Sequence, residues 1–464
     1  MSTVDASTHA DSTPDALKKG LKARHMTMIA VGGVIGAGFF LGAGGAIAVA
    51  GPAVILAYLV GGILAFLVLL LLVEMAIGRP VAGSFQEYAR EAFGPFAGLA
   101  TGWTYWLAFL IGPASECIAA GVFLNVWFPG VPIWVFALAV AALMTIVNLI
   151  GVIFFGEVEF WLALIKVVAL VVFIIWGTVA LTGIAPAAPA SVHNLVNNGG
   201  FAPAGAAGVL GAMLLVMFSY GGTEAIGTAA EESENPARDM PKVLRSSMIR
   251  IVVLYLCSIF VLTLVLPWQQ AGTSSSPFVD AMGILGGPVA ANVMNFVVLT
   301  AALSCVDSGI YATSRMLFSL SRDGYFPQAF SKLSKRQAPV VAILISCSVL
   351  FIGAILNYFA EEAYLWLATL SGFGFMFAWF MIAISEPRVR KNLEAEGKLN
   401  WRAPAATAAA VVAAIIVLGT FIGQIVTGSW QVVVTAAVWL LITAIYYLAY
   451  GKKHFLEVHP EYVK

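Results

Sequence analysis

Apolar runs long enough to cross a bilayer recur along almost the whole chain, separated by short polar joints. A helix needs about 20 apolar residues to traverse the hydrocarbon core. Twelve runs meet that length, near residues 26–47, 53–77, 98–124, 132–151, 158–182, 206–230, 249–267, 288–319, 339–358, 364–385, 405–426 and 431–450. The joints between them alternate in charge. Lys18, Lys19, Lys22 and Arg24 precede span one, Arg79 and Arg90 follow span two, and Arg238, Lys242, Arg245 and Arg250 follow span six. Arg315, Arg322, Lys332, Lys335 and Arg336 surround the end of span eight. Arg388, Arg390, Lys391, Lys398 and Arg402 follow span ten, and Lys452, Lys453 and Lys464 follow span twelve. Lys and Arg gather in cytoplasmic loops, so the alternation predicts twelve spans with both termini cytoplasmic. Of the 24 basic residues only Lys166, midway along span five, stands outside the pattern.

Composition agrees. The 464 residues are 61% hydrophobic and 10% charged, with a mean hydropathy of +0.94, whereas soluble domains carry roughly 25% charged residues. The chain is expected to be a multi-span membrane protein, with the lipid bilayer as its solvent. Its first apolar run lacks a small-residue cleavage site and is expected to be retained. Zero net charge gives no hint of a nucleic-acid partner. All four cysteines fall within spans, so no disulfide framework is expected. Residues 1–20 open on a Ser-, Thr- and Asp-rich stretch that reads as a disordered cytoplasmic tail.

Glycine is costly inside a helix, by about 1 kcal/mol relative to alanine, yet span one contains GGVIGAGFFLGAGG over residues 32–45. No phosphate-loop pattern fits this stretch. Close helix packing is one reading, since Gly38, Gly42 and Ala46 recur at four-residue intervals. A second glycine pair in span six, within MFSYGGTEAIG at 217–227, favours another: interruptions at matching places in two halves of a transporter point to a binding site. Backbone groups freed there need polar partners. The N–H groups of Gly36, Ala37 and Gly38 suit a carboxylate at a helix start. Carbonyls near Val34 and Ile35, and from Phe218 through Tyr220 to Gly221, suit an ammonium. An α-amino acid meets both demands.

The segments ARHMTMIAVGGVIGAGFFLGAG, PVAGSF, FGEVEFWLALIKV, FSYGGTEAIGTAAEESENP and SRMLFSLSRDG resemble the amino acid transporters of the amino acid–polyamine–organocation superfamily, from about residue 20 to residue 336 and more weakly beyond. The resemblance implies an all-α membrane fold with a five-plus-five inverted-repeat core, discontinuous first and sixth helices, two further helices and alternating access. It divides the chain into a first repeat over 21–183, a second over 184–390, and the last two spans with a cytoplasmic tail over 391–464. Many relatives import their substrate with protons; an exchanger swapping an amino acid for an amine is the alternative.

Ionisable residues deep in a membrane are functional candidates, and four stand out: Glu116, Lys166, Glu224 and Asp307. An ammonium at Lys166 is costly to keep charged so far from water, so the lysine is expected to exchange a proton during transport; the resemblance implies a place for it between spans one and eight, near Gly32 and with Ser304, Asp307 or Ser308 as contacts. The bland reading is a fixed ion pair that locks helices. Glu224 matches the recurrent glutamate of the family motif, which implies gating or coupling; a structural hydrogen bond is its alternative. Asp307 departs from the family pattern and either pairs with Lys166 or faces the substrate. Glu116 poses the same choice on span three. So many buried acids tilt the expected substrate toward an amine-bearing or cationic amino acid. Arg24 and Asp323 are candidates for an inner gate. No catalytic constellation, cofactor motif or zinc spacing appears among the histidines, and no feature points to a particular oligomeric state.

Overall fold

The computed structural model describes residues 34–81, 83–150, 155–182, 190–224, 236–333 and 339–462, with side chains omitted at 150 and 155–160. Among these residues the fold is helical throughout. The membrane segments are α1 (Ala37–Phe40) continuing through Leu41, in α conformation, into α2 (Gly42–Ala50); α3 (Val54–Gly78); α5 (Pro95–Trp127), α6 (Ile133–Ile150) and α7 (Phe155–Leu181); then α8 (Gly205–Tyr220), α9 (Pro236–Val265) and α11 (Pro277–Arg322). Four more follow: α12 (Val340–Phe359), α13 (Ala363–Ala395), α14 (Ala406–Val426) and α15 (Trp430–Tyr446). Every apolar run therefore has its helix. Among the described residues nine helical stretches are long and apolar enough to span a membrane, and two shorter apolar helices, including α8, accompany them.

Several ends differ from the expected ones. Helix α9 begins at Pro236 and α13 runs on to Ala395, so both project beyond their apolar runs on the end rich in Lys and Arg. Helix α11 begins before Pro288 because Pro277–Gly286 forms a separate helical piece, joined at Gly287, whose φ of 74° only glycine adopts readily. Three short helices lie outside the apolar pattern: α4 (Phe85–Phe93), α10 (Trp268–Thr273) and α16 (Lys452–Val458). The Arg24 side of the expected gate lies outside the described residues.

Helix α5 is the hub. It packs along α11 and α13 and against α6 and α12, and 78% of its most apolar window is enclosed, against 11% for the stretch containing α15. Outward faces carry residues such as Ile415, Leu441 and Ile445, left exposed by the protein and suited to lipid. The sequence places small residues where elements approach: a side-chain carbon on Gly374 would stand 2.6 Å from Ala108 Cβ, and one on Gly309 would stand 2.2 Å from Pro113 Cγ. This packing brings the start of α1 and the end of α8 together beside α5.

Candidate functional site

Gly36 is extended, with φ −126° and ψ −166°, and the helix begins at Ala37. On the facing element α8 stops at Tyr220; Gly221 leaves helical geometry and Gly222 takes a φ of +97°. The remainder of span six, residues 225–230, lies outside the described residues. This helix start and this helix end are stitched directly. Ser219 Oγ donates to the Gly38 carbonyl at 2.7 Å, and the Tyr255 hydroxyl lies 3.1 Å from the Val34 carbonyl and 2.9 Å from that of Ser219. Tyr364 donates to the Ala37 carbonyl at 2.9 Å. Stacking of Phe39 on Tyr255, with centroids 3.9 Å apart and rings within 4° of parallel, fixes the bridging hydroxyl.

The N–H groups at the start of α1 already hold a carboxylate. Ala37 N donates to Glu116 Oε2 at 2.9 Å and Gly38 N to Glu116 Oε1 at 3.2 Å. This carboxylate is 4% exposed. Each such charge-assisted bond is worth roughly 1.5–3 kcal/mol, so the protein's own acid fills the place expected for a substrate carboxylate. Gly36 makes this possible: a side-chain carbon there would stand 2.7 Å from Glu116 Oε1 and 2.5 Å from Cys305 Sγ.

Beside the carboxylate is a cavity of about 40 Å³, lined by Val34, Gly38, Glu116, Phe218 and Gly221 together with Phe109, Phe375 and Cys305. It has room for a water or two, far below the roughly 300 Å³ at which small-molecule pockets begin. The site is closed. Ile35, Gly36 and Ala37 are buried around it. Tyr220 turns its hydroxyl to the Tyr58 carbonyl at 2.9 Å and is absent from the lining.

The other buried charges are held by specific partners. Lys166, fully buried, donates from Nζ to Ser304 Oγ at 2.8 Å, joining α7 to α11, and it stands close enough to Glu116 for their charges to interact. Of the two readings of Asp307 neither describes its hydrogen bond: Oδ1 accepts from Asn148 Nδ2 of α6 at 2.7 Å, and the residue is outside the cavity lining. Glu224 accepts from Gly222 N at 3.0 Å and from Trp379 Nε1 at 3.1 Å, and Tyr105 also bonds it. It therefore ties the end of span six to α13 and α5. Reading the sequence alone missed Tyr255, Tyr364 and Asn148. Polar groups within apolar spans were the signal that could have found them.

At the basic end, Asp323 follows α11 and meets α4. Its Oδ2 accepts from Gln86 Nε2 at 2.6 Å, Arg90 NH1 stands 3.9 Å from Oδ1, and Arg90 is also paired with Glu87. Asp323, expected to pair with Arg24, is thus held by α4. Burial and then the Asp323 charge raise the Glu87 carboxyl to about 8, against the pull of Arg90. Burial also raises Asp323, opposed chiefly by Arg90. The hydrogen bond the two carboxyls share raises Glu87 further and works against the rise of Asp323. A carboxyl whose native value exceeds its unfolded one stabilises the fold less as pH climbs from the ordinary carboxylate range through that native value. Hydrogen exchange of Phe85–Phe93, corrected for intrinsic base catalysis, is expected to quicken as pH rises from the ordinary carboxylate range to about 8 and to level off above it. Glu87→Gln should flatten that rise, and unchanged wild-type protection across the range would contradict the assignment.

Residues 25–459 match the model of the amino acid permease family. Among similar proteins, the uncharacterized amino acid permease YtnA of Bacillus subtilis is 42% identical over 393 residues, covering 84% of this chain and 85% of the relative. The gamma-aminobutyric acid permease of the same organism is 42% identical over 386 residues, 83% of this chain and 82% of the relative. The aromatic amino acid transport protein AroP of Salmonella typhimurium strain LT2 is 37% identical over 457 residues, 97% and 98% of the two chains.

Proposed function

The chain belongs to the amino acid permease family, and from that premise we propose that it imports an amino acid with an apolar or aromatic side chain together with a proton, by alternating access. The observation that carries the reading is the Glu116 carboxylate on Ala37 N and Gly38 N. A site that binds its own carboxylate with two backbone donors is matched to a substrate's, and import requires one to replace the other. The substrate ammonium would take the carbonyls of Val34 and Ser219 now bridged by Tyr255. Phe109, Phe218 and Phe375 would meet the side chain. Their rings, and the bonding of Asp307 to Asn148 away from the lining, favour an apolar substrate over the cationic one suggested by counting buried acids.

In this reading Lys166 is the proton-coupling group, because it ties α7 to α11 and lies within electrostatic reach of Glu116. Glu224 couples the end of span six to α13 and α5. The two five-span halves, divided near residue 184, rock about the site, and the basic end faces the cytoplasm. Purified protein in liposomes with an alkaline interior should accumulate labelled phenylalanine or leucine, and unlabelled apolar amino acids should compete better than lysine. Uptake that requires amino acid preloaded inside, whatever the pH gradient, would identify an exchanger and reject symport.

A further inference from the structure

A cavity of about 460 Å³ at the basic end shares no lining residue with the substrate site. Its walls are the end of α11 with the turn after it, the short helical turn Gln328–Ser331, and the chain from Tyr450 into α16. Two cations, Arg322 and Lys332, line it with the imidazole of His454. Glu457 is the single acid in the lining. His454 Nδ1 lies 3.0 Å from the Tyr450 carbonyl, which can only accept, so that nitrogen carries a proton and the ring is fixed. The ring also stacks on Tyr450, with centroids 3.9 Å apart. A cation-lined recess of this volume suits a phosphate group, which Arg and Lys recognise through charge-assisted bonds.

The position of the cavity names the source of that phosphate. Helix α15 exposes Leu441 and Ile445, and Leu448 after it is 72% exposed, so apolar surface ends two residues before Tyr450 of the lining. A headgroup in the recess would leave acyl chains at the level of that surface. The same recess adjoins the Asp323 junction: a side-chain carbon on Gly324 would stand 2.7 Å from the His454 carbonyl, and Tyr325 stacks on Phe455 of α16 at 4.8 Å. We propose that Arg322, Lys332 and His454 form a site for a phosphate-bearing anion, the headgroup of an acidic phospholipid, that pins α16 to the end of α11.

The test reads binding rather than transport, so its failure leaves the transport reading untouched. Protein from vesicles of phosphatidylcholine mixed with phosphatidylglycerol is exchanged into mild detergent and its retained lipid measured by mass spectrometry. Juxtamembrane cations contribute about fivefold each to anionic lipid binding, so wild-type protein should retain phosphatidylglycerol with roughly 25-fold preference. R322Q combined with K332Q should lose most of it, whereas R322K should keep it. In a second arm, soluble glycerol phosphate is titrated onto protein in phosphatidylcholine alone. Binding there, lost in the double variant, would support the site and assign it to free phosphate. Absence of preference in both arms, or a double variant equal to wild type, would overturn the proposal.

Discussion

Lys166→Met is expected to abolish uphill accumulation while leaving exchange of labelled for unlabelled amino acid across the membrane. One pH unit is worth about 1.4 kcal/mol, enough for a one-proton symporter to sustain roughly tenfold accumulation. In the variant, internal label should rise only to the external concentration. The side chain is fully buried, and Nζ bonds Ser304 at 2.8 Å. Methionine nearly fills the same volume, and the charge-assisted hydrogen bond to Ser304 that it loses is worth roughly 1.5–3 kcal/mol. The helices should therefore stay packed and the exchange half-cycle continue. Reduced transport alone would fit a merely structural lysine as well. Retained exchange without gradient-driven accumulation separates the two, and undiminished accumulation would remove Lys166 from the coupling step.

The second large effect belongs to Glu116. Glutamine in its place offers one acceptor oxygen where the carboxylate offers two, and its amide turns a donor toward a donor, Ala37 N or Gly38 N. At least one charge-assisted bond of roughly 1.5–3 kcal/mol is lost from the empty state. A substrate carboxylate then displaces a weaker competitor. Its apparent KM should fall by about tenfold or more, while net uptake slows by a similar factor, because the empty carrier loses the group that closes it for the return. A residue that merely held α5 against α1 would raise KM or lower protein yield instead. Kinetics of labelled uptake, with exchange measured in parallel, distinguish these outcomes.

The architecture was legible because membrane helices must be apolar over a fixed length, and each of the twelve runs has its helix. The alternation of Lys and Arg fixed the expected sidedness by the same kind of physics. Helix α4 was invisible to that ruler: FQEYAREAF is short and amphipathic, and its place depends on the bond from its own Gln86 to Asp323, which is distant in sequence. At the site, the glycines at 36 and 221–222 marked where helical geometry stops. What closes the site was not legible. Donors at Ala37 and Gly38 were matched to an outside carboxylate, yet Glu116 on a neighbouring span satisfies them. Asp307 illustrates the same limit. Its partner Asn148 lies on α6, and sequence spacing carries no information about contact between those helices.

The central claim is that an amino acid and Glu116 compete for the same two backbone donors. A substrate-bound structure tests it most directly. The account predicts that the ligand carboxylate lies within about 3 Å of Ala37 N and Gly38 N, with the Glu116 carboxylate moved off both and the cavity opened beside Phe218. A ligand bound while Glu116 still holds those N–H groups, or one lodged away from the ends of α1 and α8, would contradict it.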